Sequence, residues 1–238
     1  MDWVGSTSVN AEATDDPFAQ WQRALRAATG SLDDLLRWQD RRFTFAYTLG
    51  DSLCHATAFG LPPVTGYALY GVYTLGAGLI YVGQTSQAER RLRDLPIGES
   101  HHIAVTVPAE IWERVVVVQW PKLLAVASPE EQDAAERLGL AACGLAMEYR
   151  MQVSRVPVLT SRRRAAGGTW NPRRLERSRS KGAMSSSSFP ELFRAVESAW
   201  MLLELEPGPS DGRAICGNES GRVVFPQVFL AAARAPDT

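Results

Sequence analysis

The chain has 238 residues, of which 45% are hydrophobic, and this is enough to bury a substantial core, so we expect one compact unit with additions. Its net charge of −1 neither favours nor excludes nucleic acid, and no apolar run is long enough to span a membrane. The three cysteines are odd in number and widely spaced, which is typical of reduced thiols and indicates the cytoplasm. The absence of a Cys-x-x-Cys motif and the small number of histidines leave little basis for a zinc site.

The N-terminal segment predicts a flexible start, residues 1–15, and a helical addition, residues 16–65. The start is small and polar, with neither a signal-peptide core nor an arginine-rich transit pattern. Two helices are expected next, over Pro17 to Thr29 and Ser31 to Arg42. Ser31 is the expected N-cap of the second helix, which has two aspartates in its first turn.

Residues 71–83 predict a β-hairpin, because two runs rich in β-branched and aromatic residues flank the turn Gly76-Ala77-Gly78. If the loop is these three residues, Tyr73 faces Tyr81 and Gly71 faces Gly83 on one face of the hairpin. Both phenols then lie over a floor of glycine, while the opposite, apolar face packs on the core. The alternative is an aromatic pair that only stabilises the hairpin.

A short basic helix is expected directly after the hairpin, capped by Ser86 and running to Leu95. Its packing stripe consists of Ala88, Leu92 and Leu95. Arg91 lies at the edge of this stripe, whereas Arg90 and Arg93 point to solvent. A guanidinium beside two phenols is suited to a phosphate, although a lone arginine more often pairs with a surface carboxylate.

Two further elements complete the expected core. The valine-rich run from Arg114 to Trp120 predicts a third, buried strand, and residues 129–153 predict a long helix. Glu148 continues the apolar stripe of that helix, where a carboxylate is costly to bury without a partner or a cation. The alternative for Glu148 is a buried ion pair with Arg150 or Arg155.

The segment from Arg150 to Gly182 carries ten basic side chains and one acid, Glu176, so its net charge is +9 and the remainder of the chain carries −10. Such segregation is typical of contact with a phosphate backbone, and arginine also reads guanine edges. The alternative is a solvated loop. Beyond a hinge at residues 185–188, Pro190 begins a helix through Leu205 with an apolar stripe that includes Trp200. The expected divisions are therefore a core at residues 66–182 and a helical C-terminal addition at 183–238.

The tripeptides Gly71-Val72-Tyr73 and Tyr81-Val82-Gly83, with Arg91 ten positions after Tyr81, resemble the signature of the GIY-YIG nuclease superfamily. The resemblance covers roughly residues 66 to 171. It implies an α+β fold with a small three-stranded antiparallel sheet flanked by helices, to which this chain adds helices at both ends. The superfamily includes homing endonucleases, some restriction endonucleases and the incision subunit of bacterial excision repair.

The resemblance also implies functional residues. The implied catalytic residues are Tyr73, Tyr81, Arg91, His101, His102 and Glu148, and Glu148 would hold one Mg²⁺ or Mn²⁺ ion, with no organic cofactor. The segregated positive charge and the resemblance together give the expected DNA contacts, which are Gly83, Arg155, Arg162, Arg163, Arg164, Asn171, Arg173, Arg174 and Arg177. Asn171 lies farther from Glu148 than is typical, and it could equally cap a turn before Pro172. Gln84 stands where some members have a lysine that activates the phenol, so His101 or His102 is the expected acceptor of the tyrosine proton.

The sequence thus predicts a metal-dependent DNA endonuclease of the restriction or phage-defence type. The chain lacks room for the further modules of the repair subunit, and a restriction enzyme is expected to form a homodimer that cuts both strands. We expect DNA and no membrane as partners. The alternatives are a structure-specific repair or recombination nuclease and a non-catalytic DNA-binding module.

Overall fold

A computed structural model of the chain describes residues 17–28, 30–74, 78–98, 103–119, 159–160, 190–209 and 212–234. The helices are α1 (Pro17–Ala28), α2 (Leu32–Cys54), α3 (Ala88–Asp94), α4 (Ile103–Thr106), α5 (Pro190–Glu204) and α6 (Pro226–Arg234), with a 3₁₀ turn at Ala109–Ile111. The strands are β1 (Ala68–Thr74), β2 (Gly78–Thr85), β3 (Trp112–Val118), β4 (Leu159–Thr160), β5 (Ile215–Asn218) and β6 (Gly221–Val224).

The sheet is larger than the three strands expected from the sequence. In the described part of the chain, β2, β1, β3, β6 and β5 form an antiparallel sheet in that order, and the two-residue β4 joins β2 in parallel. The two additional antiparallel strands, β5 and β6, come from the C-terminal segment, which was expected to be helical. Gly221 allows this extension, because a Cβ there would overlap the carbonyl oxygen of Val117 on β3. The α+β class is confirmed, whereas a three-stranded sheet is not.

Helices cover both faces of the sheet. We call the side of Tyr70, Val72 and Val117 the front face, on which α2, α3 and α6 pack. The opposite side, with Leu69, Tyr73 and Val116, is the back face. Here α5 supplies Val196, Ala199, Trp200 and Leu203, four of the residues on its predicted apolar stripe. All seven residues of β1 are buried, so the expectation that one hairpin face stays open above the tyrosines is wrong.

A β-bulge changes the register of the hairpin. Val72 pairs with Tyr81, but the pairing shifts between Val72 and Tyr73, and Tyr73 pairs with Leu79. The expected pairs of Tyr73 with Tyr81 and of Gly71 with Gly83 are therefore wrong, and Tyr73 and Tyr81 lie on opposite faces. An extra residue in one strand has this effect because side chains alternate with a period of two.

Of the two predicted N-caps, Ser31 is correct and Ser86 is not, and α2 is longer than predicted. Ser31 caps α2 as predicted, and its hydroxyl accepts a hydrogen bond of 3.1 Å from the backbone N–H of Asp34. The helix then continues to Cys54 rather than ending at Arg42. Ser86 does not cap α3. Gln87 is the residue directly before this helix, and its backbone N–H donates a hydrogen bond of 3.0 Å to the hydroxyl of Thr85. Among the described residues, we find no helix of the length and apolarity needed to cross a membrane.

Candidate active site

Two tyrosines meet on the front face of the sheet, and they are Tyr70 and Tyr81. Their ring centroids lie 6.0 Å apart with the planes inclined by 35°. Both side chains are almost completely buried, with 1% and 0% exposed. Strand β1 provides one phenol and β2 the other, so the pairing of the hairpin brings the two rings together. The predicted pair of Tyr73 with Tyr81 is absent, and Tyr70 is the tyrosine that lies beside Tyr81.

Gly83 forms the floor under Tyr70, because the two residues are direct partners across β1 and β2. A Cβ at Gly83 would overlap Cζ of Tyr70 and lie 2.5 Å from its hydroxyl oxygen. Only glycine leaves room for the ring at this position. Gly83 therefore lies against the ring of Tyr70, whereas it was expected to face Gly71; its expected contact with DNA stays a prediction.

Helix α3 places Arg91 beside this pair. Ala88, Leu92 and Leu95 are fully buried against the front face, as the periodicity predicted. Arg90 and Arg93 are exposed, whereas Arg91 is half-buried at the edge of the packing stripe. Its positive charge is close enough to lower the pKa of Tyr70. Arg91 is thus the member of the cluster that reaches both the phenols and solvent.

Burial dominates the acid–base properties of Tyr70. Loss of solvation raises the pKa of Tyr70 well above its usual value, Tyr81 raises it further through charge and a hydrogen bond, and Arg91 offsets part of this increase. Tyr70 therefore keeps its proton near neutral pH.

Tyr73 lies on the back face, away from this cluster. Its hydroxyl accepts a hydrogen bond of 3.0 Å from Nε1 of Trp200 and donates one of 2.9 Å to Oε1 of Glu204. Trp200 and Glu204 belong to α5, so Tyr73 joins the sheet to that helix. Gln84 also lies on the back face, two positions after Val82 on the same strand.

Sequence reasoning missed Tyr70, although a usable signal was present. Tyr70 stands three positions before Tyr73 in the same strand, so the two lie on opposite faces, and a single extra residue in β2 is enough to exchange which of them shares a face with Tyr81. The hydrophobic pattern could not indicate the register of the hairpin, because β1 is buried on both faces and has no alternation of polar and apolar residues.

The other expected functional residues lie outside the described part of the chain. These are His101, His102, Glu148, Arg155, Arg162, Arg163, Arg164, Asn171, Arg173, Arg174 and Arg177. The described residues contain no group of three or more His, Cys, Asp or Glu side chains that could hold a metal ion. Glu148 as the ligand of a metal ion remains a prediction from the sequence.

The comparisons with known proteins give no match. No protein-family model matches the chain, and neither the curated proteins nor the solved structures contain a significant relative. The functional argument therefore depends on the cluster of Tyr70, Tyr81, Gly83 and Arg91 and on the sequence that surrounds it.

Proposed function

We propose that this chain is a metal-dependent DNA endonuclease that hydrolyses phosphodiester bonds. One observation carries the proposal: two hydrogen-bonded phenols on paired strands, over a glycine and beside a half-buried arginine. A planar guanidinium matches the oxygens of a phosphate, and the phenols supply a donor and a proton-transfer group next to it. A phosphate would approach from the side of Arg91, the member with access to solvent.

The two phenols have different roles in this proposal. Tyr70 keeps its proton near neutral pH, so we assign it to orienting the site rather than to acting as a base. Tyr81 is then the phenol that we propose to pass its proton on and to accept one from water. His101 or His102 is the proposed acceptor of that proton. A divalent ion held by Glu148 would absorb charge on the phosphate and stabilise the leaving oxygen.

The proposal is tested by measuring cleavage of varied DNA in Mg²⁺ by the intact protein and by single variants. Arg91→Ala is expected to reduce the cleavage rate by roughly 100-fold or more, as expected for removal of a group that stabilises transition-state charge. Arg90→Ala is the matched control, because it removes an exposed arginine from the same helix. Equal rates for Arg91→Ala and the intact protein would overturn the assignment, and Glu148→Ala tests the metal ligand in the same assay.

The restriction or phage-defence role is proposed from the arginine-rich segment, which offers a surface for target recognition, and it implies a homodimer. Cleavage of one short sequence in a linear plasmid, together with a sedimentation mass of two chains, is the expected result. Cleavage that follows flaps or junctions irrespective of sequence would favour the repair or recombination nuclease instead.

A specific observation favours a second candidate, a non-catalytic DNA-binding module. Tyr70, Tyr73 and Tyr81 each expose 6% or less of their surface, as expected of side chains that only pack. This candidate predicts salt-sensitive DNA binding without cleavage of any substrate. Fluorescence anisotropy in the presence of Mg²⁺ distinguishes the two functions, because only the endonuclease shortens the DNA.

A further inference from the structure

The back face of β1 carries a polar network in an otherwise apolar interface. Trp200 is fully buried, and its indole N–H donates to Tyr73, whose hydroxyl donates in turn to Glu204. The hydroxyl of Tyr73 thus uses one acceptor and one donor position, each at 3.0 Å or less. Buried polar groups that are paired in this way fix one arrangement of the elements that carry them.

Helix α5, which carries Trp200 and Glu204, approaches β1 so closely that a side chain at Gly71 would not fit. A Cβ at Gly71 would lie 2.6 Å from Cζ2 and 2.7 Å from Cη2 of Trp200. An indole is rigid, so the absence of a side chain at Gly71 is what lets the ring approach the strand this closely. Gly71 directly follows Tyr70, and Trp200 therefore supports the backbone immediately behind the front-face phenol.

Strand β3 secures the end of α5. Arg114, the partner of Tyr73 across β1 and β3, donates to the carbonyl oxygens of Glu204 at 2.8 Å and Glu206 at 3.2 Å. Carbonyls at the end of a helix have no partner within the helix, so an arginine is a suitable cap. The helix is held at the position where β1 is irregular: its register shifts between Val72 and Tyr73 against β2 and between Tyr73 and Thr74 against β3.

We propose that Tyr73, Trp200 and Glu204 form a back-face lock that positions Tyr70 against Tyr81 on the front face. The lock holds Tyr73 on the back face, and the extra residue of the bulge, which lies in β2 between Leu79 and Tyr81, makes Tyr81 share the front face with Tyr70 rather than with Tyr73. Its members are positioning residues, since they lie on the far side of the sheet from the phenols. The expected effect on catalysis rests on the proposed function, whereas the expected effect on the position of Tyr70 rests only on the contacts described above. It makes the C-terminal segment part of the working nuclease.

Tyr73→Phe is the direct test, because it removes one hydroxyl and keeps the ring. If the lock positions Tyr70, kcat of Tyr73→Phe for DNA cleavage is roughly tenfold lower than that of the intact protein, while KM changes by less than about twofold. The reason is that a displaced phenol affects the chemical step more than the affinity for DNA. Glu204→Gln keeps an oxygen that accepts from Tyr73 and retains most of the rate, whereas Glu204→Leu removes that acceptor and shows the full decrease. Leu202→Ala, at a position of α5 that is 62% exposed, is the matched control and leaves kcat unchanged.

A second readout does not need activity. In protein with ¹³Cζ-labelled tyrosine, the Tyr70 signal is identified from its disappearance in Tyr70→Phe and is followed as pH is raised. Breaking the lock admits water to Tyr70, so its pKa falls towards the usual value in Tyr73→Phe and stays high in Leu202→Ala. An unchanged Tyr70 titration in Tyr73→Phe overturns the lock, as does a raised KM with unchanged kcat.

The two proposals fail differently. If the intact protein cleaves no DNA but the Tyr70 titration moves, the endonuclease is wrong and the lock stands. If the intact protein cleaves DNA and neither readout moves, the lock is wrong and the endonuclease stands. If Tyr73→Phe does not fold, Trp200→Phe gives the same readouts, because it keeps a ring above Gly71 and removes the N–H donor.

Discussion

At the scale of single residues, the front-face site depends on a missing side chain at Gly83. The ring of Tyr70 occupies the volume that a Cβ would need, and the backbone of β2 is fixed by pairing on both sides. The ring of Tyr70 cannot move aside to make room for such a Cβ, because an aromatic ring within a close-packed core has few alternative positions.

Gly83→Ala is therefore expected to lower the free energy of unfolding by about 1–3 kcal/mol, the usual cost of overpacking a core. Gly208→Ala is the matched control, because nothing lies within 4 Å of the position that its Cβ would take. Chemical denaturation of the two variants measures the difference. Equal unfolding midpoints for both would show that Tyr70 does not occupy this position.

Cys54 gives a pH dependence that can be checked at the same scale. Burial, assisted by the charge of Asp51, raises the pKa of the Cys54 thiol from its ordinary 9.0 to about 11. The folded state therefore keeps a proton that the unfolded state releases, and stability falls as pH rises from about 9 to about 11. Tyr70, whose pKa is also raised, extends the fall to higher pH.

Thermal unfolding followed from about pH 8 to about pH 11 checks this expectation. In Cys54→Ala the decline with pH should be shallower than in the intact protein, while Cys216→Ala, which makes the same chemical change at a half-buried thiol, keeps the original slope. The slopes are compared rather than the absolute stabilities, because an alanine at the buried position also leaves a small cavity. Parallel declines in all three proteins would exclude Cys54 as the source.

At the scale of elements, α2 shows what local sequence does and does not determine. Ser31 marks its beginning, and that signal is local, so it was predicted correctly. Its second half, from Phe43 to Cys54, has aromatic residues, threonines and Gly50, none of which favours a helix. Tertiary packing stabilises it: a Cβ at Gly50 would overlap the backbone of Arg93, so α3 lies directly against the helix there. The sequence carries no local trace of that contact.

Arg222 on β6 holds the end of the same helix. It is 1% exposed, and its guanidinium donates to the carbonyl oxygens of Ser52 and His55 at 2.8 and 2.7 Å and also to that of Pro62. Three buried acceptors thus depend on one side chain, and burial lowers the pKa of Arg222. The charge is accommodated by backbone dipoles at the C-terminal end of a helix, where a cation is favourable.

Arg222→Met is expected to reduce the free energy of unfolding by roughly 3 kcal/mol or more, because buried carbonyls left without donors are deprived of both water and protein partners. Arg37→Met is the control: it removes an exposed arginine that pairs with Asp34 at 2.6 Å, and such solvent-exposed pairs contribute little to stability. Urea denaturation ranks the two variants. A decrease for Arg222→Met no larger than for Arg37→Met would contradict this role.

At the scale of the whole molecule, the distribution of charge along the chain is more informative about binding to a polyanion than the net charge is. The net charge of −1 divides into +9 between Arg150 and Gly182 and −10 elsewhere. A polyanion therefore meets one attractive segment on a chain that otherwise repels it, which favours binding in one orientation. This division was readable from the sequence because charge needs no knowledge of packing. The front-face site was readable only in part, since its phenols depend on a register that packing on both faces decides.

The salt dependence of DNA binding tests this division of charge. Replacing Arg162, Arg163 and Arg164 by alanine should reduce the slope of log K against log salt by about 0.9 for each phosphate that is no longer neutralised. The matched triple variant replaces Arg37, Arg41 and Arg90, which are exposed on α2 and α3, and changes the net charge of the chain by the same amount. If the basic segment binds the phosphates, only the first triple variant flattens the slope. Equal slopes for the two variants would mean that DNA responds to net charge alone, and the segment would then not be the binding surface.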